Sequence, residues 1–73
     1  MAKKSGSAVY RVTQVIGTSS QSWEDATRNA VKTAAGTLRD LRIAEIEKLD
    51  VKIENGKVTQ FRARLSLSFK YGA

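Results

Sequence analysis

Apolar and polar positions alternate from the start of the segment "AVYRVTQVIG" (residues 8–17), which is rich in β-branched residues and predicts a strand. Tyr10, Val12 and Ile16 share one face, and Val9, Thr13 and Val15 share the other. Both faces are partly apolar, so the strand is expected to be covered on two sides or by a partner chain. Gly17 is expected to end it, because "TSSQS" is turn chemistry. The period then lengthens. Ser22 opens "SWED", a capping box with Asp25 three residues on, and Glu24 and Asp25 suit the positive end of a helix dipole. Trp23, Ala26, Ala30, Val31, Ala34 and Leu38 follow at helical spacing and predict a helix from Trp23 to Leu38. Its stripe is mostly alanine, which lets a helix lie close on a sheet but buries little area per residue.

From Arg42 to Glu54 the strand pattern returns with a slipping phase: Leu41 and Ile43, then Ala44 and Ile46, then Leu49, Val51 and Ile53. A slip exchanges the two faces, so a bulge or bend is predicted between Ile43 and Leu49. In "ENGK", Asn55-Gly56 tolerates the positive φ angles of a type I′ hairpin. The last strand places Phe61, Ala63, Leu65, Leu67, Phe69 and Tyr71 on one face and Gln60, Arg62, Arg64, Ser66, Ser68 and Lys70 on the other. The expected fold is α+β: a β-α-β-β chain whose three-stranded antiparallel sheet, in the order 1-3-2, partly wraps one helix. One helix covers one face only. The face carrying arginine and serine is left to water or to another subunit.

Composition adds a constraint on assembly. A chain of 73 residues makes one small domain, assigned to residues 8–73 after a flexible leader at 1–7, "MAKKSGS". Such a domain buries only about 60% of its unfolded surface and needs outside support. The sequence has no cysteine and no histidine, which excludes disulfides, thiolate metal sites and the commonest general base. Oligomerisation is the remaining route. The net charge is +6, and since Lys3 and Lys4 supply two of those charges the domain itself carries about +4. That excess attracts anions without requiring nucleic acid. No stretch has the apolar length of a signal peptide core or a membrane span, so a soluble, cytoplasmic protein is expected.

The order of these segments resembles the dodecin family over nearly the whole chain after residue 7. The resemblance rests on "VYRV" in the first strand, "IGTSSQSWEDA" entering the helix, "NAV" within it and "TLRDLR" leaving it. "IENGKV" at the hairpin and the closing "FRARLSLSF" complete it. It implies a hollow homododecamer of cubic-group symmetry that stores or sequesters flavins such as riboflavin or FMN at subunit interfaces. In that family a tryptophan opening the second strand stacks on the flavin, in a "WFEV"-like run, and a glutamine of a "YQV"-like run in the last strand bonds the ring's polar edge. Here the corresponding runs are "IAEI" and "FRA", so Ile43 and Arg62 occupy those places, with Glu45 beside them. Isoleucine has no π-face, and arginine can donate but not accept. The usual flavin site is therefore expected to be altered, with Glu45 and Glu47 as candidates to neutralise Arg62.

Plainer readings stand beside the sharper ones. Ile43 and Arg62 fit a remodelled pocket for a small molecule, but interface packing with an ion pair is preferred. Glu45, Glu47 and Asp50 lie along one strand, where symmetry copies could gather the six to eight oxygens that calcium takes. A calcium-binding or purely structural shell is thus the alternative to flavin, although strand carboxylates are more often solvated or paired. Trp23 is read as a packing anchor. A basic nucleic-acid-binding module built on Arg62, Arg64 and Lys70 is a distant alternative, since the aromatic residues point to the other face. Without histidine, cysteine, a phosphate loop or a recognisable carboxylate pair, no enzymatic activity is expected.

Overall fold

The computed structural model describes residues 8–70. The expected leader at 1–7 and the placement of Tyr71 lie outside the described residues. The elements are β1 (Tyr10–Ser19), α1 (Trp23–Ala35), β2 (Leu41–Glu54) and β3 (Lys57–Lys70). β3 lies between β1 and β2 and runs antiparallel to both, giving the order β1-β3-β2. The alternation read from the sequence survives along β3. Ala63, Leu65 and Leu67 are fully buried and meet Ala26, Ala30 and Ala34 of the helix, with Val15, Val31, Leu38 and Leu41 at the margin.

Gly17 does not end the first strand as expected; it continues β1, paired with Ala63, and the strand runs on to Ser19. Its role is a close approach. A Cβ at position 17 would lie 2.1 Å from the Ala26 carbonyl oxygen and 2.7 Å from the Ala30 Cβ. The alanine stripe and this glycine therefore let helix and sheet come within backbone distance.

The start of α1 departs from a reciprocal capping box. The Ser22 hydroxyl accepts from the Asp25 amide at 3.0 Å, as predicted. Asp25, however, accepts from the Ser19 hydroxyl at 2.7 Å, while Ser19 itself takes the amides of Gln21 (2.8 Å) and Ser22 (3.4 Å). Ser19 is buried because it links the end of β1 to the helix start. The far end comes earlier than Leu38. The helix stops at Ala35, and beyond Gly36 the amides of Thr37 and Leu38 close onto the Ala34 carbonyl at 3.0 and 2.8 Å. Leu38 thus reaches the core from a turn, where periodicity alone assigned it to the helix.

Asp40, at φ 55°, redirects the chain into β2, and its carbonyl accepts from the Lys70 amide at 3.1 Å. The hairpin forms where "ENGK" placed it, with φ 53° at Asn55 and 73° at Gly56. The slipping phase of β2 appears as breaks in its pairing with β3 between Leu41 and Ile43, between Ile46 and Lys48, and between Lys52 and Ile53. The middle break falls inside the predicted interval and leaves Glu47 as the unpaired residue. In the third break the extra residue is Thr59 of β3, whose hydroxyl bonds the Lys52 carbonyl at 3.3 Å.

The chain leaves much apolar surface uncovered. Val12, Ile16, Ile43, Ile46, Leu49, Ile53 and Val58 are all about half exposed or more. Among the described residues, no helix is long and apolar enough to cross a membrane.

Candidate functional site

The face of the sheet turned away from α1 is built in rungs, each set by β3. Ser68 lies between Val12 and Ile43, Ser66 between Gln14 and Glu45, Arg64 between Ile16 and Lys48, and Arg62 between Thr18 and Asp50. Every site residue expected from the sequence except Glu47 has a place on this ladder. Ile43 and Glu45 are close neighbours on β2. Arg62 is six positions along β3 from the partner of Ile43, or roughly 20 Å at strand spacing. A single chain therefore does not bring Ile43 and Arg62 together.

Arg62 is closed onto Asp50. Its Nε donates to Asp50 Oδ1 at 2.7 Å and its second nitrogen donates to Oδ2 at 3.0 Å, a forked pair. The neutralising carboxylate is thus Asp50, where the sequence suggested Glu45 and Glu47. Asp50 is also tied to the helix, since the Trp23 indole donates to its carbonyl at 3.0 Å. Trp23 packs edge-on against Phe61, with ring centres 5.2 Å apart, in keeping with an anchoring role. The hydrogen bonds from Arg62 hold the Asp50 carboxyl below its ordinary range, and the charges of Arg62 and Arg64 add to that pull.

Glu47 sits at the bulge, which re-aims its side chain along the sheet. One carboxylate oxygen accepts from Gln14 of β1 at 2.8 Å, and the other accepts from the Ser66 hydroxyl of β3. This clip spans three strands and buries Ser66, which the alternation had assigned to an open face. Gln14 and Ser66 carried no signal in the sequence, because a bulge residue's partners depend on where the bulge falls. Among the described residues Glu45 makes no hydrogen bond or ion pair, and no three acidic side chains converge as a metal cage. The described residues offer an exposed aliphatic side chain at Ile43, an exposed carboxylate at Glu45 and a closed pair at Arg62–Asp50.

The half-covered sheet thus carries aliphatic, acidic and basic side chains on its open face. Comparison with known proteins identifies the family. The sequence model of the dodecin family matches residues 9–72, and the chain belongs to that family of non-enzymatic binding proteins, which bind flavins and form dodecamers. It is 41% identical over 64 residues to the calcium dodecin of Mycobacterium tuberculosis, covering 86% of this chain and 89% of that one. The dodecin of Streptomyces coelicolor superposes with a TM-score of 0.85 at 39% identity, over 90% of this chain and 94% of that one. A crystal structure of the M. tuberculosis protein, described as calcium-chelating with a novel calcium-binding site, gives a TM-score of 0.78 at 38% identity, over 88% and 91% of the two chains.

Proposed function

We propose that this chain is the subunit of a hollow homododecamer whose ligand is a hard cation such as calcium, and that it does not hold flavin in the family's usual way. The observation that carries this reading is the state of the two flavin positions. Ile43 offers no ring to stack on, and Arg62 has its guanidinium engaged by the Asp50 carboxylate. Kinship to calcium dodecin supports the choice of cation. The exposed apolar residues of both faces support assembly, since a second copy of the chain can cover what one helix leaves open.

Of the three acidic candidates, Glu45 is the best placed to ligate. Among the described residues it has no hydrogen-bond or ion-pair partner, and it is exposed on the open face opposite Ser66. Glu47 is held by two neutral donors, Gln14 and Ser66, and by no cation among the described residues. Asp50 is the poorest of the three, being held by Arg62. Two carboxylates fall short of the six to eight oxygens that calcium takes, so copies of Glu45 and ordered water would complete the shell.

Calorimetric titration of chelator-treated protein tests the reading, with riboflavin fluorescence measured in parallel. Calcium should bind saturably, Glu45→Gln should weaken it at least about tenfold through loss of a charged ligand, and riboflavin emission should stay unquenched. Saturable riboflavin quenching without any calcium heat would overturn it.

A further inference from the structure

The hairpin turn stands apart from the rest of the chain. β1 makes its last pair with β3 at Ser19 and Phe61, so beyond Phe61 the ladder is a ribbon of β2 and β3 alone. Ile53 faces Val58, Glu54 faces Lys57, and Asn55 and Gly56 form the tip. Every residue from Lys52 to Thr59 is exposed. A ribbon of this kind is marginally stable by itself, so its end opens more readily than the three-stranded centre.

The order of the two tip residues sets up a reaction within the chain. The backbone nitrogen of Gly56 lies next in the chain to Asn55, whose side-chain amide carbon, Cγ, it can reach by closing a succinimide ring. A side chain on the following residue would crowd that approach. Glycine has none, and even a Cβ built on Gly56 would meet nothing within 4 Å. Among the described residues no hydrogen bond holds the Asn55 side-chain amide away.

Asn29, the other asparagine of the sequence, has the opposite setting. It lies within α1, and its side-chain amide donates to the Thr18 carbonyl at 3.0 Å. The residue after it, Ala30, is buried, and its backbone nitrogen belongs to the helix ladder.

We propose that Asn55 is a site of spontaneous modification, at which the hairpin tip converts to aspartate and isoaspartate. The Gly56 nitrogen, having lost its proton, bonds to Asn55 Cγ. The Cγ–Nδ2 bond breaks, and Nδ2 leaves as ammonia with that proton. Water then opens the ring. Breaking the new N–Cγ bond gives aspartate, whereas breaking the original main-chain bond gives isoaspartate. The reaction needs only this chain and water, so it is independent of the ligand that the assembly holds.

The two products act differently on the hairpin. Asp-Gly suits the same turn as Asn-Gly, so aspartate adds a negative charge and leaves the geometry intact. Isoaspartate routes the main chain through the side chain and lengthens a turn that spans only Asn55 and Gly56. Glu54 and Lys57 then no longer close the ribbon in the present register.

The test ages the purified assembly in mildly alkaline buffer beside a portion unfolded in guanidinium, with peptide mapping by mass spectrometry over time. In the folded sample the Asn55 peptide should exchange its amide for an acid, with isoaspartate outnumbering aspartate, while Asn29 keeps its amide. Asn55→Gln, which would have to close a larger ring, should lose the reaction at this position. Freshly prepared Asn55→Asp should keep the wild-type denaturation midpoint, and aged wild type rich in isoaspartate should fall below it. An Asn55 that stays intact in the folded sample, whether or not the unfolded portion converts, would overturn the proposal. So would conversion of Asn29 at the same rate, or aspartate without isoaspartate, which would mean direct hydrolysis of the amide. An unchanged midpoint in the aged protein would overturn the effect assigned to the lengthened turn.

Discussion

Arg62 and Asp50 face each other across β3 and β2 and close a forked ion pair of 2.7 and 3.0 Å on the open face of the sheet. The same aspartate receives the Trp23 indole on its carbonyl, so one residue joins the helix start to both strands of the hairpin. At the position where the resemblance places a flavin-bonding glutamine, the side chain of Arg62 is committed to Asp50 of its own chain.

The pair should mark the acid response of the protein. The Arg62 hydrogen bonds, reinforced by the charges of Arg62 and Arg64, depress the Asp50 carboxyl in the folded state. A depressed acid adds stability that is complete above its unfolded value, about 3.9. That stability is lost as the pH falls through the lower, folded value. Asp50→Asn should therefore be less stable than wild type by a constant margin from neutral pH down to about 4, with the margin closing only below that. Denaturation midpoints across this range check the expectation. A margin that vanished between about pH 5 and 7 would assign the effect to another group.

Gly17 tests the closeness of helix and sheet. An alanine there meets the Ala26 carbonyl oxygen, which is backbone and cannot swing aside. Gly17→Ala should cost on the order of 1–3 kcal/mol through overpacking, seen as a lower denaturation midpoint with an unchanged slope. If the variant matched wild type, α1 would have to sit further from β1 than described here.

The proposal that Ile43 and Arg62 stand at the flavin positions can be tested by reversing them. Ile43→Trp combined with Arg62→Gln should restore a stacking platform and an edge that both donates and accepts, and riboflavin fluorescence should then be quenched saturably. Each stacked face adds about 0.5–1.5 kcal/mol beyond area, so sandwiching between two symmetry-related rings should tighten binding by roughly tenfold or more over Arg62→Gln alone. Failure of the double variant to bind, while it still assembles, would show that flavin is excluded by something other than these two residues.

Much of this architecture is readable without coordinates because it follows from local chemistry. The alternation of Phe61 to Phe69, the alanine stripe, the Ser22 cap and the Asn55-Gly56 turn each act over a few residues. Together they fix the element order, the strand order and the buried face. The identities of Ile43 and Arg62 are likewise readable from sequence alone, and with the family resemblance they carry the expectation of an altered flavin site.

Partnerships across strands were decided only by the tertiary structure. Register depends on where extra residues fall, and a displacement of one position changes every partner and every face beyond it. Thr59 and Glu47 each add one residue to one strand, so Arg62 meets Asp50, Lys48 meets Arg64, and Glu47 reaches Ser66 and Gln14. The sequence by itself determined which elements form and which face is buried, since propensity and periodicity are properties of short segments. The pairings that give the open face its chemistry came from the extra residues at Glu47 and Thr59, whose positions show only in the pairing of whole strands.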